Sequence, residues 1–452
     1  MPDAAHLFHL DHATLLQLAR DALTHAQRLG ATDAAVEVSE STGLSVTTRK
    51  MTVETIEHTR DKGLGITAYL GQRRGHASTS DLSPTAVAQA VEAAYNIARF
   101  TATDDCAGLP DAADLERAPR DLDLFHPWAI DTEQAIAQAR RAEQAAFDVD
   151  RHISNSEGAN VYASAGHFVF CNSRGFAAGY PYSRHSLSVA PIAKLRGSMQ
   201  RDYWYTASRI PGELAAPEAV GRYAAQRVLA RLGARRVASG NFPVLFEAPV
   251  ACGLIGHFVQ AASGGALYRN ASFLVDAIDK PLFAPHIEIE EDPFIPAAQG
   301  SSPFDEEGVR GQQRKVVAGG TLTGYFLSTY SARKLKLRTT GNAGGAHNLT
   351  LRSAQTRAGD DFRAMLRALG TGLLVTELIG QGVNTVTGDY SRGAAGFWVE
   401  GGSIAYPVEE ITIAGNLREM FARIAAVGSD TVIRGSRRTG SVLIEQMAVG
   451  GA

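Results

Sequence analysis

Along positions 11–30 the apolar residues fall at Leu15, Leu18/Ala19, Ala22, Ala26 and Leu29, steps of three and four that gather on one helical face. Gly30 is placed to end that helix. The period then drops to two. Ala35–Val38, Leu44–Thr48, Val53–Glu57 and Gly65–Leu70 read as short strands parted by glycine and charged turns. A second helix opens with Ser83 as N-cap and Pro84 at its first position, and carries Val87, Val91, Ala94 and Ile97/Ala98 along one face. Helix, strands and helix make an α+β unit with an antiparallel sheet.

Thr103–Pro127 is richer in Asp, Pro and Gly and reads as a connection. A third helix is predicted over Asp131–Val149. Asn160–Ala163 and His167–Cys171 read as a hairpin arm with Asn172–Gly175 as a turn. Strands near Leu187–Val189 and Tyr203–Ala207 precede a helix over Pro217–Leu232, stopped by Gly233. Beyond residues 235–240 glycines become dense, with short strands between them at Lys315–Val317, Tyr325–Leu327, Leu373–Glu377 and Gly396–Glu400. Glycine permits tight corners, so a curved or partly closed barrel-like sheet is expected. The chain is thus expected to be α+β throughout: a unit at 1–110, a second α+β unit at 125–235 packed with it, and a glycine-rich β domain at 240–452. No 20–50-residue period recurs, which argues against a solenoid.

Composition narrows the function more than the fold. A formal net charge of -3, with arginine pairs scattered along the chain, gives no polyanion-binding surface. Three cysteines, Cys106, Cys171 and Cys252, are too few and too distant for a disulfide framework and suit a reducing compartment. The N-terminus lacks a basic start followed by an apolar core, and no apolar run approaches the ~20 residues of a membrane span. A cytoplasmic protein without nucleic-acid or membrane partners is expected.

The stretch VLFEAPVACGLIGHFVQ at 244–260 carries the most chemistry. A β-like run through Phe242, Val244 and Phe246 leads into a helix-like one with a single carboxylate, Glu247. A glutamate flanked by histidines at such a place begins the metal-binding helix of many zinc peptidases. Here the flanking positions are Phe246 and Ala251, which offer a cation no lone pair.

Four stretches together resemble the TldD/PmbA metallopeptidase family, in its PmbA (TldE) branch. They are DKGLGITAYLGQRRGHASTSDLS at 61–83, VLFEAPVACGLIGHFVQAASGGALYRNASFL at 244–274, DEEGVRGQQRKVVAGGTLTGYFLSTYSARKLKLRTTGNAGG at 305–345 and GDYSRGAAGFWVEGGSIAYPVEEITIAGNL at 388–417. The TldD branch holds its metal by a His-Glu-x-x-x-His pattern and a later cysteine. Carried over by position, the histidines fall on Phe246 and Ala251 and the cysteine at about Gly393, leaving Glu247 as a vestigial general-base position. Zinc at a catalytic site needs about three protein donors and a water, so no metal is expected on this chain and zinc is expected in a TldD-like partner subunit. The resemblance implies a heteromeric metalloprotease acting on unfolded or extended peptides, this chain lining a shared cavity. A non-catalytic peptide-binding or regulatory module is the alternative. An independent peptidase with unusual ligands would rest on Cys252, His257 and Glu247.

Cys252 and His257 echo the ligand interval, yet five residues rotate about 140° on a regular helix and would not share a face. His286 and His347 read as exposed loop residues, and Glu288–Asp292 as a solvated strand edge. Gly341, Asn342, Gly344 and Gly345 are candidates for peptide binding, because backbone bared by glycine can pair with an added strand; a barrel corner would use the same glycines. Tyr325 and Tyr330 are candidate oxyanion donors.

Overall fold

The computed structural model describes residues 7–451. The first half runs α1 (His12–Arg28), β1 (Asp33–Arg49), β2 (Thr52–Leu70), β3 (Arg73–Thr79), α2 (Pro84–Phe100), α3 (Thr132–Phe147), β4 (Ile153–Asn172), β5 (Ala177–Leu195), β6 (Ser198–Arg201), β7 (Trp204–Ser208) and α4 (Pro217–Ala230). Asp11, Ser83 and Asp131 cap the first three helices with their side chains, and Asp131 forms a reciprocal capping box with Gln134. All seven strands join one antiparallel sheet in the order β3-β2-β1-β4-β5-β6, with β7 also on β5. The segments 1–110 and 125–235 therefore share a sheet rather than packing two.

The short strands expected in this half are portions of long ones. Ala35–Val38 and Leu44–Thr48 both lie on β1, and Val53–Glu57 and Gly65–Leu70 both lie on β2. Asn160–Ala163 and His167–Cys171 are not a hairpin but one strand, β4; the Asn172–Gly175 turn joins β4 to β5. Small polar residues and glycines between the apolar runs broke the sequence pattern without breaking the ladder, because one sheet face is not buried under helices. A Cβ at Gly166 would lie 2.6 Å from the Tyr182 ring that crosses it.

Period two divides that sheet's faces. Val36, Val38, Leu64, Ile66, Val169 and Cys171 pack beneath α1 and α2. Leu44, Val46, Val161, Leu187 and Val189 pack beneath α3 and α4. Glu37, Ser39, Phe168, Phe170, Tyr180 and Tyr182 point the other way, toward the second half of the chain.

That half comprises β8 (Gly240–Phe246), α5 (Ala248–Ala261), α6 (Gly264–Tyr268), β9 (Ile287–Asp292), β10 (Arg314–Ala318), β11 (Thr321–Leu322), α7 (Thr329–Leu335), β12 (Asn348–Ser353), α8 (Phe362–Leu369), β13 (Gly372–Ile379), β14 (Asp389–Glu400), β15 (Ser403–Asn416), α9 (Leu417–Ala422), β16 (Ile424–Val427), β17 (Val432–Arg434), β18 (Arg437–Thr439) and β19 (Val442–Gly450). One sheet follows β11-β10-β9-β12-β18-β17. The other follows β15-β14-β13-β8-β19-β16, and β15 also pairs with β19, which closes a ring of five strands; α5 packs into the core shared with the first of these two sheets. The barrel-like domain expected from the glycines is present.

Three local expectations are corrected. Tyr325–Leu327 is no strand: Phe326 makes a single bridge to Ser263, while the Tyr325 hydroxyl is drawn inward. Glu288–Asp292 is β9, an interior strand, so it is no edge. His347 is buried rather than exposed. Among the described residues no helix is long and apolar enough to cross a membrane.

Candidate functional site

Phe246 ends β8 and Ala251 lies one turn into α5, both 0% exposed within the main core of the second half. Gly393 stands elsewhere. It pairs with Ile379 on β13, four residues beyond Val375, which pairs with Phe246. That offset alone is about 13 Å along the strand, whereas zinc ligands converge to about 2 Å from the ion. A Cβ at Gly393 would lie 3.2 Å from Ile379. The three positions therefore do not meet at one point.

Glu247 occupies the N-cap position of α5 but caps nothing with its side chain. Its carboxylate receives two hydrogen bonds from the Arg227 guanidinium, at 2.8 and 3.1 Å, and its N–H donates to the Val375 carbonyl. Arg227, on α4, lies 3.3 Å from Asp202 and also reaches the Thr376 carbonyl. The pair is well buried, with side chains 12% and 14% exposed. Burial works against the Arg227 charge, yet Glu247 and then Asp202 hold it more firmly protonated than a free guanidinium. Arg231 binds Glu377 and lies 3.7 Å from Asp202, Arg201 lies 3.6 Å from Glu377, and Gln200 donates to Glu409. At the place where the resemblance puts a general base, these side chains join α4 and β6 to the closed sheet.

The alternative ligands fare no better. Cys252 is buried, its thiol pushed up to about 11 by burial, and its Sγ donates to the Arg437 carbonyl. His257 is pulled down to about 4 by burial and by the charges of Arg392 and Arg437. Cationic neighbours and a protonated thiol suit no cation. Among the described residues no group of three or more His, Cys, Asp or Glu side chains could hold a metal, so the donors for a catalytic zinc do not fit here.

Tyr325 donates to the Leu274 carbonyl and accepts from Ala277 N–H; Tyr330 donates to Asp104 at 2.7 Å. Both hydroxyls are engaged in holding segments together rather than facing an open oxyanion position. His286 spends both ring nitrogens on Ser353 and the Ile424 carbonyl. His347 bonds the Gly341 carbonyl, and its N–H donates to Glu291.

The glycine-rich turn divides in two. Asn342 is buried and fully committed, donating to Glu291 and the Gly345 carbonyl and accepting from Arg314 and Thr340. Gly341 lies where a Cβ would strike the Arg310 carbonyl at 2.5 Å. Gly344 and Gly345, by contrast, line an open hollow of about 390 Å³ between the turn and the free face of the first sheet. Asp305 secures this turn by accepting from Ala343, Glu307 and Val309 N–H groups. Burial and the Glu307 charge push its carboxyl up to about 7 against those three donors.

Comparison with known proteins agrees with this architecture. The PmbA/TldA metallopeptidase domain 1 matches residues 34–98, the central domain matches 125–232 and the C-terminal domain matches 239–451. The chain belongs to the PmbA/TldD family. It is 48% identical over 418 residues to Metalloprotease PmbA of Escherichia coli O157:H7, covering 92% of each chain. To Metalloprotease PmbA homolog of Haemophilus influenzae it is 44% identical, covering 97% of this chain and 96% of that one. The crystal structure of TldE from Thermococcus kodakarensis superposes with a TM-score of 0.84 at 17% identity, over 96% of this chain and 100% of that one, a likeness of fold.

Residues that sequence reasoning missed are the partners Arg227 and Asp202 around Glu247, and Glu37, Asp305 and Glu306, which line the hollow. They lie far apart in sequence, and no spacing signals them.

Proposed function

We propose that this chain is the subunit of a TldD/TldE-type metalloprotease that holds no zinc. A TldD-like partner supplies the metal, and this chain lines the cavity in which unfolded or extended peptides are cut in the cytoplasm. One observation carries the reading: the glutamate at the general-base position is ion-paired to Arg227 beside a fully buried Phe246 and Ala251. A carboxylate so held has no metal-bound water to deprotonate. The metalloprotease names of the relatives support the peptidase chemistry, and the TldE neighbour supports the pairing. Retaining a whole fold around a site without donors makes physical sense when the fold supplies walls and an interface. The test is reconstitution. An unstructured peptide should be hydrolysed by a mixture of this chain with a TldD-type partner, and poorly by either alone. Full activity from the partner alone would reject the role.

A further inference from the structure

The face of α5 that turns away from the main core carries a second kind of chemistry. Gly253, Gly256, His257 and Gln260 share that face by helical spacing, and none of them is fully buried. Gly253 has open space where a Cβ would stand, whereas at Gly256 the Arg437 guanidinium takes that space, its Nη1 2.5 Å from the point. His257 meets the Tyr390 ring edge-on at 5.8 Å. Tyr390, Arg392 and Ala394 alternate along β14 onto the side that faces the main core, so Arg392 sets a charge between two buried residues. Tyr390 is 1% exposed and its hydroxyl lies beside Arg392, yet neither that hydroxyl nor the buried Arg392 Nε makes a hydrogen bond of good geometry. Buried polar groups are seldom left so. No carboxylate answers these charges: among the described residues neither Arg392 nor Arg437 has one within ion-pair distance. α5 contains no acidic residue, and Glu247 before it is held by Arg227, nine residues and about 14 Å of helix rise from Gly256. Asp389 is occupied by Thr387 and Asn416, and Glu377 by Arg231. Arg434, on β17, lies over the Trp204 and Tyr205 rings at 4.2 Å from each.

We propose that Arg392 and Arg437, with the Tyr390 hydroxyl and the open stretch of α5 at Gly253, form an anion subsite that takes a peptide carboxylate, from a C-terminus or from an Asp or Glu side chain. That the group is anionic rests on the two guanidiniums and the unpartnered hydroxyl; that it belongs to a peptide rests on the function proposed above. A carboxylate accepts from both guanidiniums in charge-assisted bonds and gives the Tyr390 hydroxyl and Arg392 Nε the acceptor they lack. An unpaired charge on the core side of a strand is destabilising, and a bound anion relieves it. Burial and then the charges of Arg392 and Arg437 pull His257 down to about 4, so its ring stays neutral and keeps one N–H to offer beside them.

Calorimetry on the full chain at fixed ionic strength tests this with four probes: a short Gly/Ser/Ala peptide blocked by acetyl and amide groups, the acetylated peptide with a free C-terminal carboxylate, the blocked peptide carrying one aspartate, and inorganic phosphate. At least one carboxylate probe should bind about tenfold tighter than the blocked peptide, and which of them does identifies the source of the carboxylate. Arg392→Gln and Arg437→Gln should each reduce that preference about five- to tenfold. Urea unfolding gives a second readout: the preferred probe should raise the midpoint of the parent and leave that of the double variant unmoved. Equal affinity for the three peptides, binding of phosphate alone, no binding of any probe, or a preference unchanged in the double variant would overturn the proposal. If the carboxylate preference fails while reconstituted hydrolysis succeeds, the subsite falls and the proposed function stands; binding without reconstitution gives the reverse.

Discussion

Glu247 separates the two accounts of this chain most cleanly, because a structural ion pair and a general base respond oppositely to Glu247→Gln. The variant keeps the side chain's shape and removes its charge. Arg227 on α4 would then be left with only Asp202, 3.3 Å away, and the Thr376 carbonyl. Removing one member of a buried pair costs about 3–5 kcal/mol. Here both side chains retain slight exposure and Asp202 remains, so about 2–3 kcal/mol is expected. Urea unfolding should show the loss, with faster amide exchange in α4. A double-mutant cycle with Arg227→Met should return a coupling of about 1–3 kcal/mol. Hydrolysis by the variant complexed with a TldD-type partner, measured well below the unfolding transition, should stay within about threefold of the parent. A general base would instead lose about 10²–10⁴ in rate. Unchanged stability combined with such a rate loss would refute the reasoning.

Glu143→Ala should cost about 2–3 kcal/mol in urea unfolding, since this buried carboxylate accepts from Lys50 and Met51 N–H in the β1–β2 turn, where both residues have positive φ; a loss below about 0.5 kcal/mol would contradict this. Glu291→Ala should cost about 3–5 kcal/mol and loosen the glycine-rich turn, because Arg314, Asn342 and His347 N–H all converge on that carboxylate; unaltered amide exchange at Asn342–His347 would count against it. For His257, the folded pKa of about 4 lies below the ordinary 6.5, so the fold favours the neutral ring. Its contribution is complete above pH 6.5 and is lost as pH falls toward 4. His257→Gln should flatten the stability curve over that interval, and an unchanged slope would contradict the assignment.

Helix ends were legible because capping is local: Asp11, Ser83 and Asp131 each announce a helix within four residues. Strand lengths were less so. The face of β1 bearing Glu37, Ser39 and Ser41 lacks the apolar run that marks a strand buried on both sides, and pairing carries it through Gly43 regardless. At the candidate site, the sequence revealed what Phe246 and Ala251 lack, since donor chemistry belongs to each residue alone. It did not reveal that Arg227, 20 positions earlier, occupies Glu247, nor that Glu37 and Glu306 face one groove. Those are long-range meetings set by sheet topology. His347 misled for a related reason: a glycine-rich setting suggested an exposed loop, but Glu291 on the interior strand β9 draws the turn inward.

Metal content measured subunit by subunit reaches the heart of this account. After the reconstituted assembly is dialysed against a chelator and its chains are parted under native conditions, zinc should accompany the TldD-type partner, with none in stoichiometric amount on this chain. A full equivalent of zinc retained by this chain alone would mean that donors exist beside Glu247 after all.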